Sequence, residues 1–190
     1  MTDTVTIVNL ALMKLGKSTI VSLSDPTDEA EKANMAYTET RQRLLTEAEW
    51  PFAVKRQELG QLSIDPVSDF SYAYQLPTDC LKVLTINEFH PGTYAYRIEG
   101  RTLWTGAESI ELRYIADITN TALFSPPFRR ALIDQLAYDL SFYFRADKGL
   151  TQFLAEQAIR SKQDAIAIDT QQGSARAIYD RTLIDVRDEY

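Results

Sequence analysis

The apolar pattern of this chain changes period twice, and that change limits the fold more than any single residue does. Residues 4–15 carry Val5, Val8, Leu12 and Leu15 at steps of three and four, the spacing of one helical face. Between about 52 and 118 the pattern gives way to short runs: FAVKRQEL, FSYAYQL, CLKVLTI, YAYRI, TLWT and SIELRYI. These are rich in β-branched and aromatic residues and partly alternate, as strands do. From 126 the helical period returns, with Phe128, Leu132, Leu136, Leu140 and Phe144 every four residues. Helices, then strands, then helices predict an α+β fold. Residues 1–51 and 126–172 form a helical bundle, 52–125 an inserted antiparallel β-rich region, and 173–190 an extended C-terminal arm.

Local signals set the boundaries. Asp3 or Thr4 can cap the first helix, and Gly16 suits a left-handed turn at its end. Asp25-Pro26 reads as the start of the second helix, with Asp25 as cap, and Trp50-Pro51 as its end. Asp28, Glu29 and Glu31 in its first turn, and Arg41 and Arg43 toward its far end, have the polarity a helix dipole favours. Ala30, Ala33, Tyr37 and Leu44 mark its buried face, and the alanines predict close approach to another helix. Glu99-Gly100 reads as a tight hairpin. Pro126-Pro127 opens the third helix, whose stripe Ile133, Ala137 and Tyr143 widen. Gly149 breaks the chain, and a fourth helix follows with Leu150, Phe153, Leu154 and Ala158 inward.

Charge narrows the partners. The formal net charge is −7, and Lys and Arg form no basic stripe, so gripping nucleic acid through its phosphates is not expected. No apolar run approaches the roughly 18 residues that span a membrane. MTDTVTIVNLALMKLGK lacks the basic start and continuous apolar stretch of a signal peptide.

Chemistry is sparse. One histidine, His90, and one cysteine, Cys80, fall short of a zinc ligand set, and no metal or cofactor is expected. Cys80 reads as a small buried core residue. No glycine-rich phosphate loop and no G-x-S-x-G elbow occurs. Asp79, after Pro77 and Thr78, reads as a turn residue bonding a nearby backbone N–H. Glu108 and Glu111 read as a solvated strand end. Tyr72, Tyr74, Tyr94, Tyr96 and Trp104 could stack on sugars or bases, but their alternation fits strand faces packed on helices better. No catalytic residue stands out. The arm carries Ile178, Tyr179, Leu183, Ile184, Val186 and Tyr190, more large apolar residues than a solvated tail needs, and reads as a partner-docking segment.

The order of the landmarks adds to this. ALMKLGK, then SDPTDEAEKA, then YTETRQRLLTEAEWPFA, YAYQLPTDCLKV, ELRYIAD and FSPPFRRALIDQLAYDLSFYF follow one another over about residues 5–160. The set resembles the head-to-tail adaptor proteins of short-tailed bacteriophages, the tail tubular protein A and tail accessory factor family. The most specific pieces are W-P-F-A after a long helix, Y-A-Y-x-L-P-x-D-C-L, and P-x-F-x-x-A-L-x-x-x-L-A. The resemblance implies a structural virion protein at the head–tail junction, made in the host bacterial cytoplasm and assembled as a ring of usually twelve copies below the portal. That ring would extend the DNA channel and present a platform for the nozzle and for fibre or spike proteins. In that family the C-terminal segment commonly reaches the portal, a role that would fall to residues 173–190. The family brings no defining catalytic residues. Twelve copies at −7 each suit a channel through which DNA slides without specific binding. Two alternatives remain: a tail-associated glycan or peptidoglycan hydrolase using Asp79 and Glu108, and a generic cytosolic binding module.

Overall fold

The structure, a computed structural model, describes residues 3–63, 70–87 and 95–170. It is α+β: four helices and two small antiparallel sheets. The helices are α1 (Thr4–Lys14), α2 (Asp28–Glu47), α3 (Pro126–Tyr143) and α4 (Lys148–Thr170). The strands are β1 (Val54–Leu59), β2 (Tyr72–Gln75), β3 (Cys80–Ile86), β4 (Tyr96–Glu99), β5 (Thr102–Thr105) and β6 (Ile110–Ala116). One sheet runs β1-β6-β3 and the other β2-β5-β4.

α3 is the central helix and packs against α1, α2 and α4. Phe128, Leu132, Leu136 and Leu140 are fully buried along it, as their four-residue spacing requires. Ala30, Ala33, Ala36 and Tyr37 are buried on α2, where small side chains let α3 approach. A single apolar cluster continues from these helices through Trp50, Ile115 and Leu112 to Tyr74 and Leu103. The helices and both sheets therefore share one core. Tyr143 and Phe153, expected inward, are exposed at 43% and 55%; each lies one position off its helix's buried stripe.

Chain reversals depend on side chains and left-handed residues. Asp3 caps α1 by accepting from the Thr6 N–H at 2.8 Å. Gly16, at φ +64°, ends it: Lys17 N–H donates to the Leu12 carbonyl and Gly16 N–H to that of Met13, the paired bonds of a Schellman motif. α2 begins later than the Asp25-Pro26 step suggests. Thr27 is its cap, and Asp25 instead takes the N–H groups of Val21 and Ser22 in the preceding loop. α2 also ends at Glu47, before Trp50-Pro51. The break between α3 and α4 falls at Arg145, which adopts φ +51°, while Gly149 lies inside α4. Arg145 N–H donates to Phe142 and Ala146 N–H to Ser141, a second Schellman motif built without glycine. Asp147 then caps α4 through the Leu150 N–H. The β4–β5 hairpin turns on Gly100-Arg101, one residue later than expected, because Glu99 still pairs with Thr102. Gly100 takes φ +60° and Arg101 does not, the pattern of a type II′ turn.

Candidate functional site

Several of the segments that carry the resemblance meet at one junction between the helices and the β1-β6-β3 sheet, whereas Tyr72–Gln75 lies in the other sheet. Trp50 is buried just past α2, and its indole Nε1–H donates to the Leu44 carbonyl at 2.9 Å. Leu44 is among the last four residues of α2, whose carbonyls have no partner within the helix, so the indole acts as a C-terminal cap. Trp50 and Phe52 both lie edge-on to Phe128 at centroid distances of 4.9 Å, and Phe124 completes the group at 4.9 Å from Phe128. Edge-to-face contacts at that spacing suit the ring quadrupoles. Ala53 accepts the Ala116 N–H through its carbonyl, which starts the β1–β6 ladder directly behind the aromatic group.

Asp79 sits at the same end of β6, on the side facing β3. Its carboxylate is not spent on a turn N–H, as the sequence suggested. Oδ2 takes Lys55 Nζ at 2.7 Å from β1, and Oδ1 takes the Tyr114 hydroxyl at 3.1 Å from β6. Its backbone carbonyl accepts the Asp117 N–H at 2.7 Å. One residue thus fastens the start of β3 to its neighbour β6 and, across it, to β1. Burial alone would raise the Asp79 pKa, but the bonds from Lys55 and Tyr114 outweigh it and hold the carboxyl below its ordinary value. Burial, then the Asp79 charge, pushes the Tyr114 phenol up to about 12. A carboxylate held ionised beside a phenol held neutral exchanges no proton near neutral pH. The cluster works as a clamp.

Two further carboxylates complete the junction. Asp117, just past β6, accepts Arg41 Nη2 on Oδ1 and Gln42 Nε2 on Oδ2, each at 2.7 Å. Arg41 and Arg43 were assigned to the helix dipole, but α2 runs on to Glu47. Arg41 is instead buried against the sheet, and Arg43 pairs with Asp139 of α3. Nothing local in the sequence ties residues 41 and 117 together; only the fold brings them into reach.

The remaining candidates are dispersed. Cys80 is half-buried rather than fully buried, and burial raises its thiol pKa above the ordinary value. Glu108 is exposed before β6, and Glu111 lies within β6 opposite Glu58 of β1. Tyr74 and Trp104 are buried, with Tyr74 donating its hydroxyl to the Ala107 carbonyl at 2.9 Å, whereas Tyr96 is exposed. Among the described residues no three His, Cys, Asp or Glu side chains group to hold a metal ion. No described helix is long and apolar enough to cross a membrane. His90, Tyr94 and the arm residues Ile178, Tyr179, Leu183, Ile184, Val186 and Tyr190 lie outside the described residues. No protein-family model matches the chain, and no curated protein matches it either.

Proposed function

We propose that the chain is a structural adaptor of a short-tailed phage virion, a ring-forming protein that joins the portal to the tail. One observation carries this. Of the most specific pieces of the resemblance, W-P-F-A, the P-x-D-C-L half of Y-A-Y-x-L-P-x-D-C-L and the P-x-F helix are far apart in sequence and share one junction, which E-L-R-Y-I-A-D joins. There Trp50 and Phe52 pack edge-on against Phe128, and Asp79 and Asp117 join the sheet to itself and to α2. A motif set that builds one structural joint reads as the signature of a scaffold.

On this reading the chain acts without chemistry of its own. The acidic surface lets DNA pass, the ring presents a platform for nozzle and fibre or spike proteins, and residues 173–190 engage the portal. Mixing the purified chain with the portal protein of the same virus and imaging by electron microscopy tests it. A ring of this protein on the portal is expected; free portals at high adaptor concentration overturn the proposal. Deleting residues 174–190 is expected to leave the fold intact by circular dichroism and to abolish portal binding. A zymogram on peptidoglycan and glycan substrates is expected to stay blank.

A further inference from the structure

An apolar groove of about 630 Å³ lies between α1 and α3, walled by Leu10 and Met13 on one side and Ile133 on the other. Leu10 and Met13 are 40% and 61% exposed, large apolar side chains on the outer face of α1 with nothing over them among the described residues. At Pro126 and Arg130 this groove runs into a second one of about 460 Å³ between the start of α3 and the end of α4, lined by Pro127, Ala165 and Ile168. The two share those residues and form one continuous channel.

The channel begins where α4 ends. α3 and α4 are antiparallel, and Ser125 Oγ, at the cap of α3, donates to Asp169 Oδ2 at 2.8 Å. The chain after Thr170 therefore sets out beside Pro126, at the channel mouth. Residues 171–190 follow, and at roughly 3.3 Å per extended residue they reach the far end of the groove with length to spare. Their apolar residues match the groove's chemistry. The segment carries both signs, Asp180, Asp185, Asp188 and Glu189 with Arg176, Arg181 and Arg187, as does the rim, where Arg130 is exposed with no ion pair among the described residues and Asp164 is also exposed.

We infer that the α1–α3 groove is the seat of the chain's own C-terminal segment, which folds back along α3 with Ile178 to Val186 over Leu10, Met13 and Ile133. The inference rests on the groove and on where the chain leaves α4, and it stands whether or not the chain is a phage adaptor. For an adaptor it adds a step: the segment has to leave the groove before it reaches a portal.

Limited trypsin digestion of the full chain, followed by mass spectrometry, tests this at Arg176, Arg181 and Arg187. Cleavage at Arg181 is expected to be about tenfold slower in the native chain than in Met13→Asp, because a docked segment is cut only from its open state. Met13 is exposed, so its substitution leaves the core intact, and a circular-dichroism melt that stays cooperative and shifts by only about 2–4 °C verifies that. Leu183→Asp is expected to speed cleavage at Arg176 as Met13→Asp does. Equal rates in the native chain and both variants overturn the inference. So does protection that grows with protein concentration, which assigns the groove to a second copy.

Discussion

Arg41 of α2 and Asp117 beyond β6 are joined by a 2.7 Å ion pair whose arginine is buried and whose carboxylate is partly buried. Removing Arg41 leaves the partly buried Asp117 carboxylate with Gln42 as its remaining partner, at a cost of about 1–3 kcal/mol. Arg41→Met is therefore expected to lower stability by about that amount in urea unfolding. Arg41→Met combined with Asp117→Leu is expected to recover most of the loss, because neither charge then remains.

The aromatic group behind this pair sets a larger cost. Phe128 is fully buried and touches Trp50, Phe52 and Phe124. Phe128→Ala is expected to cost about 3–5 kcal/mol. Trp50→Phe keeps most of the packing but strands the Leu44 carbonyl, for about 1 kcal/mol. Denaturant midpoints at constant m-value distinguish the two.

The Asp79–Tyr114 pair gives opposite pH limbs. The Asp79 pKa is lowered in the folded chain, so its contribution is present above the unfolded value of about 3.9 and is lost as pH falls through the lower folded value. The Tyr114 pKa is raised to about 12, so its contribution is present below the unfolded value of about 10 and is lost between there and about 12. Asp79→Asn is expected to flatten the acid limb and to move the alkaline limb down only in part, since burial still raises the phenol. Urea midpoints measured across pH report both limbs.

At Arg145 the backbone holds φ +51° in a Schellman turn, a conformation that costs a side-chain-bearing residue roughly 1–2 kcal/mol. Arg145→Gly is expected to raise stability by about 0.5–1 kcal/mol, net of the extra freedom glycine has when unfolded. A thermal melt showing no gain would mean that the turn carries no such strain.

The period of the apolar residues was enough to place four helices and six strands, because burial of one face imposes that period directly. Boundaries depended on which of several polar residues takes a backbone N–H. Asp25 and Thr27 are both good caps, and only the loop geometry that occupies Asp25 leaves α2 to Thr27. Gly149 misled because Arg145 absorbs the left-handed turn. The junction was legible as a set of motifs but not as an arrangement. The Asp79 partners Lys55 and Tyr114, and the Asp117 partner Arg41, are set by strand register and by the placement of α2, which no local spacing encodes.

The central position of α3 has a consequence during synthesis. α1 and α2 leave the ribosome with apolar faces that α3 does most to cover, and α3 begins at Pro126. At about 5–20 residues per second, roughly 4–16 s pass between completion of α2 and the first turn of α3. Over that interval the nascent chain shows Ile7, Leu12, Tyr37 and Leu44 to its surroundings, so its yield in a cell depends on what holds those faces until the bundle closes.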